Sequence, residues 1–205
     1  MRDTTERRSP SMVLCLVRHG ETLWNRERRY QGQVDVPLSE VGRRQAHAVA
    51  RRLAAERWDR VYSSDLVRAR ETAEIIARHC GIPLLTDPRL RERAYGRLEG
   101  LTRQEIEVLT GGKGRREQDL EPYGVERWED LADRSQAVVD EWVSAHPGER
   151  LIAVSHGGWI RALLGRLFPD WDPDMPLANT GVTLLHRDQG RWRRILVSDT
   201  AHLQV

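Results

Sequence analysis

The sequence predicts an α/β sandwich built on a mixed sheet. Three observations carry this expectation. From Met12 onward, short apolar runs alternate with amphipathic helical patterns. Two of the apolar runs stop at a histidine followed by glycine, as strand ends do in open α/β sheets. The last two runs are joined by Asp188-Gln189-Gly190, a tight-turn sequence that makes them an antiparallel hairpin.

The elements follow in chain order. Met12 to Val17 is continuously apolar and short, which fits a buried strand. Ser39 to Glu56 reads as a helix, with Ser39 as its cap and Val41, Ala46, Val49, Ala50 and Leu53 on one face. Arg60 to Ser63 is a second strand, carried by Val61 and Tyr62. Asp65 to His79 is a second amphipathic helix, apolar at Leu66, Ala69, Ala73, Ile76 and Ala77 and closed by Cys80-Gly81. Glycine and proline then interrupt the chain from Pro88 to Gly124, leaving short pieces such as a helix over Thr102 to Leu109. That stretch, about 88–126, reads as a lid, with Gly111 to Arg116 as its most mobile part. A helix over Arg127 to Ala145 ends at His146-Pro147-Gly148, and a strand (Leu151 to Val154) and a helix (Trp159 to Phe168) follow. Val182 to His186 and Trp192 to Val197 form the closing hairpin.

The 205 residues suit one domain over 12–205, carrying that insertion, behind a flexible tail over 1–11. The tail holds Arg2, Arg7 and Arg8 but no apolar segment of signal-peptide length, and no run is long enough to span a membrane. A 39% hydrophobic content supports a core. All 33 basic residues except Lys113 are arginine, and the 31 acidic residues are interleaved with them, which argues against a nucleic-acid stripe. The two cysteines have no disulfide-scaffold or metal-ligand spacing. The expectation is therefore a cytoplasmic protein with no nucleic-acid or membrane partner. Tryptophans left at the surface would favour a homodimer.

Chemistry concentrates where two strands end alike, at Val17-Arg18-His19-Gly20 and Val154-Ser155-His156-Gly157. Ligands bind outside the carboxyl ends of strands in such sheets, so both histidines reach one rim, with glycines to let backbone approach a ligand. A neutral imidazole is a nucleophile that accepts a phosphoryl group, and the transferred group needs donors around its oxygens. Arg18, Arg68 and His156 supply such donors. A carboxyl group beside a phosphate, which favours its protonated form, can protonate the leaving alkoxide. The histidines, cysteines and acids show no metal-ligand motif, so neither metal nor cofactor is expected.

Four ordered blocks then resemble one family. They are Arg18-His19-Gly20-Glu21-Thr22 with Trp24-Asn25 and Tyr30 to Ser39; Ser63 to Ala73; Glu92-Arg93-Ala94-Tyr95-Gly96 with Leu98-Glu99-Gly100; and Ser155 to Gly158 leading into Ile160 to Leu163. Together they resemble the histidine phosphatase superfamily, in the branch of cofactor-dependent phosphoglycerate mutases and broad-specificity phosphatases. The resemblance implies a three-layer α/β/α sandwich with a mostly parallel mixed sheet and a small helical lid. It implies that His19 becomes phosphohistidine, that Arg18, Arg68 and His156 hold the phosphoryl oxygens, and that Glu92 acts as the acid. It places Asn25, Gln31, Gly32, Gly157 and Tyr95 in the phosphate or substrate pocket. Glu99 is a nearby competitor for the acid role.

The implied activity is a metal-independent phosphomonoesterase acting on small phosphorylated metabolites through a phosphohistidine. A 2,3-bisphosphoglycerate-dependent phosphoglycerate mutase is the alternative, since Tyr95-Gly96 and Glu92-Arg93 resemble the mutase pattern and Arg103 sits where mutases carry a base for the substrate carboxylate. The region from Gly111 to Asp133 lacks the long basic insertion of mutases, although Arg115-Arg116 imitate it. Pro122 to Asp130, ending at Arg134, resembles the phosphatase pattern of Gly-Gly-Glu-Ser followed by a helix, with Val125 and Arg127 in place of the Gly and Ser, so the hydrolase leads. A non-catalytic binder of phosphorylated ligands is a further alternative, disfavoured by an intact nucleophile and acid. Trp58, Trp142, Trp159, Trp171 and Trp192 read as packing residues, Cys15 and Cys80 as inert thiols, and His47, His79, His146 and His186 as surface or capping groups without partners. His202 reads as structural.

Overall fold

Met12–Arg18 (β1) alternates its side chains between two apolar environments, and this alternation sets the layering. Met12, Leu14 and Leu16 face one cluster, while Cys15 and Val17 face another. Arg150–Ser155 (β4) repeats the pattern, with Leu151 and Ala153 on the first face and Ile152 and Val154 on the second. A strand buried on both faces has no polar side to show, which is why these runs read as continuously apolar. The computed structural model describes residues 11–112 and 117–204. Residues 1–10 of the tail expected over 1–11, and Lys113 to Arg116 of the glycine-rich loop, lie outside the described residues.

Besides β1 and β4, the sheet contains Arg60–Ser63 (β2), Leu84–Thr86 (β3), Val182–Asp188 (β5) and Arg191–Asp199 (β6). Their spatial order is β3-β2-β4-β1-β5-β6. Pairing is parallel from β3 through β1, and antiparallel between β1 and β5 and between β5 and β6. The mixed, mostly parallel sheet is thus as expected. Leu84–Thr86 escapes the sequence reading because a three-residue edge strand is too short to show a period.

Among the described residues, five α-helices and a single-turn segment accompany the sheet. Glu40–Leu53 (α2) and Val67–Cys80 (α3) cover one face, packing Ala46, Val49, Ala69, Ala73 and Ile76 against Val17 and Val154. Trp128–Ala145 (α5) and Gly157–Leu167 (α6) cover the other, with Trp142 and Trp159 fully buried beside Leu14 and Leu151. Ser39 caps α2 by accepting from the Gly42 amide at 3.0 Å, and Gly81 closes α3 in the left-handed region. The turn Leu23–Arg26 (α1) is capped by Thr22 and was not foreseen, since four residues carry no helical periodicity.

The segment expected as a lid has an apolar centre of its own. Arg103–Leu109 (α4) and several 3₁₀ turns gather around buried Leu98, Ile106 and Val125. Thr102 and Glu105 form a capping box at the start of α4.

Three expectations need correction. Helix α6 begins at Gly157, not Trp159, because the chain turns directly from the strand end into the helix. Trp58, Trp142, Trp159 and Trp171 are buried and the other three tryptophans are half-buried, so exposed tryptophans do not supply a homodimer surface. His47 and His79 face each other with ring centroids 5.4 Å apart, and His146 meets the Tyr62 hydroxyl at 2.7 Å, so three of the four histidines expected to stand alone have partners.

Candidate active site

The parallel pairing of β1 and β4 continues one residue past the end of β1. The His19 amide donates to the Ser155 carbonyl at 2.9 Å, which brings His19 and His156 to the same rim with ring centroids 5.1 Å apart. His19 is 2% exposed and His156 is fully buried. Gly20 serves a different purpose from the one expected. A Cβ there would lie 2.5 Å from the Gly42 carbonyl oxygen, so the glycine admits α2 against the rim rather than a ligand.

His19 Nδ1 lies 2.7 Å from the Gly20 carbonyl oxygen. A carbonyl only accepts, so Nδ1 carries the proton and Nε2 keeps its lone pair. Burial, followed by the charges of Arg68 and Arg18, pushes the ring pKa well below its ordinary value, so the imidazole is neutral at physiological pH. A neutral imidazole with a free ring nitrogen is chemically able to act as a nucleophile.

Around it, several buried nitrogens lack partners among the described residues. Arg18 donates from Nη1 to the Leu177 carbonyl at 2.6 Å but its Nε is unpaired. Arg68, on the first turn of α3, donates to the Gly32 carbonyl at 2.7 Å and the Val34 carbonyl at 2.8 Å, and its Nε is also unpaired. Neither ring nitrogen of His156 has a partner, and burial together with Arg68 and His19 depresses its pKa well below the usual range. Gly157 abuts Arg18, since a Cβ would lie 3.5 Å from Arg18 Nε. Buried polar groups are normally hydrogen-bonded, and several orphaned donors at one rim describe an anion site.

These groups open onto a cavity of about 240 Å³ lined by Arg18, His19, Asn25, Gln31, Gly32, Arg68, Glu92 and Tyr95. His156 and Gly157 adjoin it through His19 and Arg18. Trp24, Arg28, Arg29 and Tyr30 also line it and were not assigned from sequence, although they interleave with Asn25 and Gln31 in one stretch. A groove of about 580 Å³ around Trp128 and Trp171 contains none of the rim's groups. The groove has a single orphaned nitrogen, Trp171 Nε1, whereas those of Arg18, Arg68 and His156 cluster at the rim, so the cluster rather than the volume locates the chemistry.

The carboxylate of Glu92 accepts from the Arg93 amide at 2.8 Å and from the Gly158 amide of α6 at 3.1 Å. Its competitor Glu99 lies outside the cavity lining and accepts from the Gln33 and Tyr95 amides at 2.9 and 3.0 Å. Glu99 thus braces the wall, behind the left-handed turn at Gly32. Asn25 has two duties, since its Oδ1 accepts from the Thr22 amide at 3.0 Å while the residue lines the cavity. Asn179 donates to the His19 carbonyl at 2.9 Å and was missed, having no motif neighbour to mark it. Tyr95 stands edge-on to Tyr30 at 4.8 Å, and burial raises its phenol pKa. Arg103 does not reach the cavity lining: its side chain is 78% exposed and pairs with Glu107 one turn along α4.

A family model described as the histidine phosphatase superfamily (branch 1) matches residues 14–200. The chain belongs to that superfamily. This histidine phosphatase is 40% identical over 200 residues to phosphoglycerate mutase-like protein 4 of Arabidopsis thaliana, covering 93% of this chain and 86% of the relative. It is 41% identical over 198 residues to the metal-independent phosphoserine phosphatase of Arabidopsis thaliana, covering 93% and 82%. Among solved structures it superposes on a mycobacterial glucosyl-3-phosphoglycerate phosphatase complexed with VO3, with a TM-score of 0.80 and 34% identity over 91% of this chain and 98% of the other. Among the described residues, no group of three or more His, Cys, Asp or Glu side chains could hold a metal ion, and no helix is long and apolar enough to cross a membrane.

Proposed function

We propose that this histidine phosphatase hydrolyses small phosphate monoesters through a phosphohistidine on His19. One observation carries the reading: a buried imidazole with a free Nε2 lone pair stands among the unpaired nitrogens of Arg18, Arg68 and His156. The phosphoryl group satisfies those nitrogens, and they stabilise the charge that spreads over its oxygens during transfer. His19 Nε2 forms a bond to phosphorus as the bond to the ester oxygen breaks. The Glu92 carboxyl gives its proton to that oxygen, and the alcohol departs. Glu92, now a carboxylate, takes a proton from water, whose oxygen attacks phosphorus. The P–N bond breaks, its electrons return to Nε2, and inorganic phosphate leaves. Asn25, Gln31, Gly32 and Tyr95 shape the cavity for the alcohol portion, with the 88–126 segment as its lid, and Gly157 keeps Arg18 in place.

The substrate class follows from size and charge. A cavity of about 240 Å³ is smaller than those that hold drug-sized ligands, which run from about 300 Å³, so it suits a phosphate on a short carbon unit. Arg28 lines it and makes no ion pair or hydrogen bond through its side chain among the described residues, which favours substrates carrying a second anionic group. The exposed, Glu107-paired Arg103 weakens one of the grounds for the mutase reading, which also has Tyr95-Gly96 and Glu92-Arg93. Two free thiols, one pushed up to about 12 by burial, fit a reducing cytoplasm.

Phosphorus NMR in excess EDTA tests the reading, with 3-phosphoglycerate, a trace of 2,3-bisphosphoglycerate and p-nitrophenyl phosphate offered to wild type and to His19→Ala. Inorganic phosphate from wild type alone is expected. Rapid growth of 2-phosphoglycerate with little free phosphate would assign a mutase instead, and release by His19→Ala equal to wild type would remove His19 from the chemistry.

A further inference from the structure

Glu92 lies in irregular backbone, between 3₁₀ turns at Pro88–Leu90 and Gly96–Leu98. Such backbone has no ladder or helical partners, so its carbonyls and its placement depend on side chains from elsewhere. One side chain supplies most of them. Arg134, in the second turn of α5, donates from Nη1 to the Arg89 and Arg91 carbonyls at 2.7 Å each. From Nη2 it reaches the Glu92 carbonyl at 3.0 Å and Glu126 Oε2 at 3.0 Å, and from Nε it reaches Glu126 Oε1 at 2.7 Å. A guanidinium has five N–H donors in a rigid fork, and here every one is engaged.

Glu126 extends the clamp to the other side of Glu92. Its Oε2 accepts from the Ala94 amide at 3.0 Å, and its carbonyl accepts from Arg93 Nε at 2.7 Å. The same segment is tied to the rim, because Ser155, the residue before His156, donates to the Leu90 carbonyl at 2.7 Å. Trp159 of α6 holds the Arg89 carbonyl at 2.9 Å. The backbone carrying Glu92 is therefore positioned against the strand end that carries His156, while neither Arg134 nor Glu126 lines the cavity.

We infer that Arg134, braced by Glu126, is the positioning residue that sets the Glu92 carboxyl within reach of the departing oxygen, so that it governs how phosphoryl transfer depends on the leaving group. The inference rests on the proposed acid role of Glu92. Proton delivery requires hydrogen-bond reach, and a misplacement of about 1 Å costs on the order of 10²-fold when the chemistry depends on it. A weakly basic leaving group needs no proton, so it is insensitive to that misplacement. Lysine cannot replace the fork, because its donors share one nitrogen and cannot span acceptors on four residues.

The test compares kcat/KM, which reports steps through transfer to His19, for O-phosphoserine and p-nitrophenyl phosphate. The proteins are wild type, Arg134→Lys, Glu126→Gln and Glu92→Gln. Glu92→Gln is expected to slow the alkyl phosphate on the order of 10²-fold and the aryl phosphate by less than about 5-fold. Arg134→Lys and Glu126→Gln are expected to shift the alkyl-to-aryl ratio in the same direction by about 10-fold. Glu126→Gln keeps the three carbonyl contacts of Arg134, so it reports even where Arg134→Lys folds poorly. An equal loss on both substrates, with Glu92→Gln still selective, would overturn the positioning role. A Glu92→Gln enzyme without selectivity would overturn the acid assignment and this inference together.

Discussion

Replacing Arg68 with methionine separates what the phosphate site needs from what the fold needs. The side chain is fully buried, and burial lowers its pKa to about 10, so it remains charged at pH 7. No carboxylate lies within ion-pair distance of it among the described residues. Its two bonds to the Gly32 and Val34 carbonyls are worth roughly 1.5–3 kcal/mol each, as hydrogen bonds to a charged group. Against them stands the desolvation of an unpaired buried charge, several kcal/mol in magnitude. These terms oppose each other, and methionine is a flexible side chain that fills much of the same volume, so a net stability loss of about 1–3 kcal/mol is expected. Catalysis has no such compensation. Removing one preorganised donor from a developing oxyanion typically costs about 10²–10³ in rate, or roughly 2.7–4 kcal/mol. The assay is kcat/KM on p-nitrophenyl phosphate beside thermal unfolding with and without inorganic phosphate. Activity should fall by at least about 10²-fold and the phosphate-induced rise in Tm should largely vanish. Because Arg68 is the largest charge depressing the His19 pKa, the acid limb of the pH profile should also move to higher pH. A folded variant within about 5-fold of wild type, still stabilised by phosphate, would refute the placement of Arg68 on the anion.

Three further outcomes follow from the same geometry. His19 and His156 both have pKa values below the 6.5 of an ordinary histidine, so their contribution to stability is complete above about pH 6.5 and is lost as pH falls through 6.5 toward the folded values. Each should add a slope of about 1.4 kcal/mol per pH unit within that window, to which half-buried His202, pushed down to about 4, also contributes. Urea midpoints at pH 7.5 and 5.5 should show it, with the slope cut by roughly a third to a half in His156→Asn. Gly158→Ala should leave stability within about 1 kcal/mol but place a methyl on Glu92 Oε1, slowing alkyl phosphates about 10-fold more than p-nitrophenyl phosphate in kcat/KM. Arg28→Gln should raise KM for phosphoesters bearing a carboxylate about 10-fold more than for p-nitrophenyl phosphate, and an equal rise on both would deny Arg28 a role in selectivity.

Long periodic segments were legible because a helix of 14 residues or a two-sided buried strand imposes its period on composition. The expected helices over Ser39 to Glu56 and Asp65 to His79 contain the observed α2, and α3 apart from Cys80. Short elements such as Leu84–Thr86 and Leu23–Arg26 impose no period, and their boundaries come from neighbours that pair with them. The same limit applies to the site. Motifs mark Arg18, His19, Arg68, His156 and the segment ending at Arg134, but what Arg134 and Asn179 hold is set by bonds made across 42 and 160 residues of chain.

By itself the sequence determined the layered α/β architecture, the two histidine-bearing strand ends and the family. Those follow from local pattern and from residues whose chemical type cannot be exchanged. Tertiary structure alone decided which nitrogen of His19 is free, that Glu92 rather than Glu99 faces the cavity, and that Arg103 does not. It also turned Gly20 from an expected ligand approach into room for α2. Each of these depends on a hydrogen bond or a van der Waals contact between segments far apart in the chain, and such contacts are fixed by packing geometry, which no local pattern encodes.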